Sequence, residues 1–455
     1  MSFFGALGTA VTGVNAAATW VGNISDNIAN STTNGYKAVE TRFSDLVNNK
    51  LLGDSPVIDS TKHGGVTAYA KFENRAQGGY LQTGVTTNFA ISGAGFVPVG
   101  KPDSVTYTTA NGETVKNVTL DDTTYYTRLS DFTLDSGNYL VNSAGYYLLA
   151  SPIGTTNPSL FQLDDSPIAP VPTSEIDYIA NLPANATSGT TFSNAVTVYT
   201  SDTTSTGEGV TMNWVRGAGN TWDLTIDAGD TGQTSFGPIT VSFADGSTPP
   251  FQSGRLESLT TADAGVTVTA SADGSPASIS FTADFGGTQQ ALTLNLGNYN
   301  GGFDATATSG LTQFSTTNAT ISNLNIEQNG LQGGDFSYIS FNDRGHIVYN
   351  YDNGRSQTLF QVTLGNFNEP DRLDRVDSTA FLPTSASGTV FLGNADDPDN
   401  PAGVGSFVAS TVEQSTVDVA EQMTNLIQAQ QAYGLNGQVI TAADQMLSRL
   451  IELKS

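Results

Sequence analysis

Cysteine is absent from all 455 residues, and histidine occurs only at His63 and His346. The first absence removes disulfides, thiolate nucleophiles and cysteine-ligated zinc or iron–sulfur centres together. The second leaves little material for a metal site or a histidine acid–base relay. Positive charge is also scarce: 17 Lys and Arg stand against 43 Asp and Glu, a formal net charge of −26. Phosphate neutralisation needs clustered cations, so nucleic acid and anionic membrane surfaces are poor partners. No run of about 18 consecutive apolar residues occurs, so no membrane insertion by a helix is expected. The first 36 residues carry no Lys or Arg and a single acid, Asp26. They therefore lack the basic region of a cleavable secretory signal.

What is present can fold. At 38% hydrophobic the chain has material for real cores, and its length suggests roughly two to four domains, because single cores stop growing near 250–300 residues. The ends differ from the middle. Phe4, Leu7, Val11, Val14, Val21 and Ile28 follow a three-four spacing, which is a helical apolar face of the coiled-coil kind. It stops at the turn formers Asn30 to Gly35. Val419, Met423, Leu426, Tyr433, Ile440, Leu447 and Ile451 repeat that spacing at the other end. Between the helices the texture is β, with short period-two runs such as Trp222/Leu224/Ile226, Ile239/Val241/Phe243 and Leu292/Leu294/Leu296 set between turn residues. The expected fold class is multidomain and mainly β, with short-stranded antiparallel sandwich or barrel domains and terminal α-helices forming a coiled-coil-like layer. Residues 1–36 and 411–455 form the helical part, 37–88 an extended connection, 89–150 and 331–410 one β domain. Residues 151–330 form an inserted acidic β domain, with 16 acids against Arg216 and Arg255.

No chemistry stands out. Gly95 to Lys101 begins like a phosphate-binding loop, but Pro102 follows where Ser or Thr is needed, and Phe-Val-Pro-Val reads as a strand. The acid pairs Asp121-Asp122, Asp164-Asp165, Asp227/Asp230 and Asp396-Asp397/Asp399 match no calcium loop and read as solvated turns. Neither histidine has a nucleophile in a recognisable elbow. No catalytic, cofactor or metal site is expected. The terminal stripes resist the ordinary reading most. Gly5, Gly8, Gly13 and Gly22 each cost about 1 kcal/mol in a helix, so the N-terminal helix is marginal alone. Two outcomes stay open: a self-contained helical hairpin, or surfaces completed by neighbouring copies.

At this point the residues carry a resemblance. Asn23-Ile24-Ser25-Asp26-Asn27-Ile28-Ala29-Asn30, followed by Thr33-Asn34-Gly35-Tyr36-Lys37, is similar to the N-terminal signature of the bacterial flagellar rod and hook axial proteins. Phe89 to Phe96, Tyr126-Thr127-Arg128, Tyr349 to Gly354, Asn366 to Pro370 and the stretch from Glu413 to Leu447 continue the likeness in order. Within the family, the large insertion 151–330 favours the hook over the shorter distal rod protein or a hook-associated protein. A secreted acidic calcium-binding adhesin is the competing class. Two features depart from the pattern: Pro98 suggests an edge strand or a bulge, and Gln431 stands where relatives often carry Arg.

The resemblance implies a self-assembling curved tube, the hook, acting as a universal joint that transmits torque from rod to filament. The terminal helices would line its channel and the insertion would face outward. Asn27, Asn30, Gly35, Tyr36 and Lys37 are the family motif, and the two apolar stripes the assembly surface. Implied partners are further copies of the chain, the distal rod protein, the hook–filament junction protein, the hook cap and the flagellar type III export apparatus. The implied location is the extracellular hook, reached without a cleavable signal peptide.

Overall fold

The computed structural model describes residues 3–46, 64–110, 113–202, 207–230, 232–301, 310–395, 397, 399 and 401–452. His63, Asp396 and Pro398 lie outside the described residues, as do the side chains of Phe4 and Ile451. The two stripes form helices, α1 (Phe3–Ala29) and α2 (Val419–Glu452). Asn30 ends α1 by turning both its backbone and its side-chain N–H onto the Asp26 carbonyl. Asp418 starts α2, because its carboxylate accepts from the Ala420 and Glu421 amides and so satisfies orphan donors of the first turn. The helices pack on one another, and residues 37–88 are more than a plain connection. Strands β1 (Val39–Leu46) and β2 (Gly65–Phe72) form an antiparallel ladder from Val39↔Phe72 to Leu46↔Gly65. That ladder lies on α1 through Asn23 Nδ2 donating to Thr41 Oγ1 at 2.8 Å and the Val66 amide donating to Thr12 Oγ1 at 3.2 Å.

The chain divides into two compact units. The first comprises Met1–Asp164, Tyr338–Asn350 and Ser356–Ser455. Short strands β3 (Tyr80–Gln82) and β4 (Phe89–Ser92) pair with Thr411–Glu413 and Ser406–Ala409, so the stretches of chain before and after the second unit are stitched together. Strands β5 (Val97–Ala110) and β6 (Glu113–Thr127) sit inside an eleven-stranded sheet, flanked by Tyr147–Pro152 and Ala380–Leu382. Two aromatic clusters fill this unit: Phe89 against Phe132, Phe341 and Phe407, and Phe96 with Tyr126, Phe367, Leu373 and Phe381. Pro98 is neither at an edge nor in a bulge. It lies opposite Tyr126 on an interior strand, and pairing with Tyr147–Pro152 begins only at Val99, so no ladder bond needs the missing N–H. The bulges fall at Pro102 instead.

The second unit comprises Asp165–Ser337 with Tyr351–Arg355. Residues 151–164, placed by sequence with the insertion, stay in the first unit. Ser159 and Leu160 pair with Ala150 and Leu149, and Phe161 and Leu163 are buried there. A five-stranded sheet and a six-stranded sheet share one apolar core that includes Tyr178, Trp214, Trp222, Leu224, Ile239 and Leu294. The period-two runs become buried positions alternating with half-buried or exposed ones, as in Thr221–Asp227 and Pro276–Phe285. The unit is not wholly antiparallel. Glu175–Pro183 runs parallel to Thr288–Asn298 and to Thr312–Phe314. Long intervening segments allow the crossovers that parallel neighbours require.

Candidate assembly surface of the terminal helices

The seam between α1 and α2 is lined by small and polar residues. On α1, Ala10, Gly13, Ala17, Ile24 and Asn27 are buried. On α2, Ala429 and Ala443 are buried, and Gln422 and Asn436 are half-buried. These α2 positions stand seven apart, a heptad seam. Gly13 makes room for the Asn436 side chain, whose Oδ1 would lie 2.7 Å from a Cβ at that position and would have to shift. Asn27 Nδ2 crosses to Gln422 Oε1 at 3.2 Å. Small contact residues let helix axes approach closely, which compensates for the little apolar area each one buries.

On α1 the stripe lies one residue beyond the seam, about 100° round the axis, whereas on α2 Leu426, Tyr433, Ile440 and Leu447 follow the seam residues by four, about 40° round. Leu7, Val14, Val21, Ile28, Leu426 and Ile440 are half-buried, and Val11 is 44% exposed. On α2, Val419, Met423, Tyr433 and Leu447 are joined by Ile427, Leu435, Val439 and Met446, each 39–62% exposed. The stripes are therefore only partly covered by the chain itself, and α2 in particular keeps large apolar side chains exposed.

The motif residues converge at the foot of the pair. Asn27 Oδ1 accepts from the Val39 amide at 2.9 Å and from the Tyr36 hydroxyl at 3.2 Å, while its Nδ2 donates to the Val39 carbonyl at 2.8 Å. Gly35, at φ +69°, passes so close to the Arg128 carbonyl that a side chain would strike backbone at 2.7 Å. Its amide donates to the Glu413 carbonyl at 2.7 Å. The Lys37 ammonium, fully buried, donates to Glu413 Oε1 and to the Ala76 carbonyl. Glu413 Oε2 accepts from Arg128 Nη1 at 3.2 Å, and Oε1 also accepts from the Gly78 amide at 2.8 Å. Arg375 lies over the Tyr36 ring at 4.9 Å and the Phe72 ring at 4.8 Å, and donates to the Lys37 carbonyl.

Two cations thus share one buried carboxylate. Burial lowers Lys37 to about 8, opposed by the Glu413 charge and aided by Arg128. Burial likewise lowers Arg128. Sequence spacing does not reveal this cluster, because Lys37 and Glu413 are 376 positions apart. Glu413 and Arg128 stood out only as residues matched in the resemblance. Among the described residues no group of three or more His, Asp or Glu is arranged to hold a metal ion. The loop Gly95–Lys101 enters strand β5 rather than a helix.

Comparison with known proteins agrees with this geometry. Residues 408–453, covering α2 and the strand before it, match the family described as flagellar basal body rod FlgEFG protein C-terminal. The flagellar hook protein FlgE of Brucella melitensis is 28% identical over the full length of both chains. That of Salmonella typhimurium is 27% identical, covering 98% of this chain and 99% of the relative. The crystal structure of the Helicobacter pylori flagellar hook protein FlgE2 overlays with a TM-score of 0.43 at 12% identity, covering 72% of this chain and 98% of the other. The end-to-end similarity to hook proteins and the match of the C-terminal helix support a flagellar hook protein, a structural subunit of the hook of the bacterial flagellum.

Proposed function

We propose that copies of this chain assemble through the apolar stripes of α1 and α2, with Phe4, Leu7, Val11, Val14, Val21, Ile28, Val419, Met423, Leu426, Tyr433, Ile440, Leu447 and Ile451 supplying the contacts between subunits. The observation that carries this is exposure: the helix pair closes largely on small and polar residues and leaves Val11, Val419, Met423, Tyr433 and Leu447 39–50% exposed. Fully burying one such side chain contributes about 1.5–3 kcal/mol, so repetition over many copies outweighs the marginal propensity of a glycine-bearing α1. The helices would form the wall around the channel, and residues 151–330 the solvent-facing part. Like charges on that acidic part resist locking neighbours together, which suits a tube that bends as a universal joint. Distal rod protein, junction protein, hook cap and type III export apparatus are the expected partners, with export independent of a cleavable signal.

The test is a charge placed on the exposed stripe. Leu447→Glu and Val11→Asp are expected to abolish polymer seen by electron microscopy while leaving the subunit's thermal midpoint unchanged. Equal loss of folding and assembly would return the stripes to an intramolecular role.

A further inference from the structure

We propose that a groove at the foot of the helix pair receives the C-terminal end of α2 from a second copy of this chain, with Arg449 seated among its carboxylates. The inference rests on the polymer reading above and gives it a specific contact. The groove has a volume of about 400 Å³ and is built by α1, β1 and the start of α2. Trp20 and Phe43 meet edge to face at 5.4 Å to make its aromatic wall. Glu40, Glu73, Asp418 and Glu421 line it. Lys71 lies 3.6 Å from both Glu40 and Glu73. Asp418 and Glu421 make no ion pair among the described residues. Glu40 also pairs with Arg42 at 2.8 Å and Asp418 caps α2, which leaves Glu421 as the open carboxylate. An aromatic face beside such a carboxylate suits a guanidinium, which stacks on the one and forks onto the other.

Within the terminal segments a guanidinium occurs once. Residues 1–36 and 411–455 contain two cations, Arg449 and Lys454, and Arg449 is exposed. Gly13 faces Asn436 and Asn27 faces Gln422, an antiparallel register that carries the last turn of α2 past the first residue of α1. Arg449 and the groove residue Gln422 are separated by about 40 Å along one straight helix, so a subunit cannot fill its own groove. A neighbour stacked head to tail can. Within a single helix, acids at the start and Arg at the end also complement the macrodipole. Exchanging the two charges distinguishes the readings, because the exchange worsens both helix ends yet preserves the pair between copies.

The absence of cysteine makes cross-linking clean. Full-length Asn425→Cys, at the groove, is mixed with full-length Ser448→Cys, beside Arg449, and the mixed disulfide is measured alongside light scattering. The mixed product is expected to exceed either self-product. Adding Glu421→Arg to the first chain, or Arg449→Glu to the second, is expected to lower it about tenfold, and adding both to restore it to within about threefold. A mixed product no greater than the self-products, or no recovery in the exchanged pair, overturns the contact. Scattering separates the two claims: polymer without the cross-link sinks this contact alone, whereas the cross-link without polymer supports the contact and sinks the polymer reading.

Discussion

Glu413 is the residue on which the foot of the helix pair depends. It neutralises Lys37 and Arg128 in a site that excludes water, and its backbone carbonyl accepts from Gly35. Removing one partner of a buried ion pair leaves an uncompensated charge, worth about 3–5 kcal/mol. Glu413→Gln, which strands two cations, is therefore expected to destabilise the first unit by that amount. Lys37→Met leaves Glu413 with Arg128 and the Gly78 amide and is expected to cost less, about 1–3 kcal/mol. Denaturant titration of both variants checks the order. The pH dependence has a definite sign. Lys37 falls from 10.5 to about 8 on folding, so between those values the unfolded chain holds a proton that the folded chain lacks. Stability from this group grows as pH rises through that window and is lost as pH falls through about 8, at up to ~1.4 kcal/mol per pH unit. Lys37→Met should flatten that part of the profile.

At the scale of elements, α1 and α2 each carry two distinct faces. The seam tolerates little: Ala429 is fully buried, and enlarging a packed position typically costs about 1–3 kcal/mol. Ala429→Leu is expected to lower the midpoint of the helical far-UV signal in the subunit. Leu435→Gln, at a position 62% exposed, should leave that midpoint unchanged. Equal effects would show that the seam is elsewhere. Both helices were legible from their three-four spacing, because large apolar residues dominate a periodicity reading. That reading left open whether the chain itself or its neighbours cover the stripes, and it did not find the small-residue seam. Alanine, glycine and asparagine contribute almost nothing to such a pattern, yet they set how closely two helices pack.

For the whole molecule, two compact units with separate cores make stability divisible. Leu224 is fully buried in the core of the second unit, beside Trp214 and Trp222. Leu224→Ala is expected to cost that unit about 2–5 kcal/mol, shifting the tryptophan fluorescence transition to lower denaturant. The helical far-UV transition, which reports α1 and α2 in the first unit, should not move. A common shift of both signals would mean that the units unfold as one. Charge is divided as unevenly as the cores: the stretch 151–330 holds 16 acids, and residues 1–36 hold only Asp26.

The helical ends, the β middle and the lack of thiol chemistry follow from local periodicity or from composition. The sequence also carried the motif from Asn27 to Lys37, although not what the motif does. Packing in three dimensions is needed to see that Lys37, Arg128 and Glu413 share one buried site, that residues 151–164 stay with the first unit, and that α2 leaves large apolar residues exposed. These are contacts between positions tens to hundreds of residues apart, and they depend on which face of an element another element covers. Local pattern shows that an apolar face exists; packing decides whether the chain or its neighbour buries it.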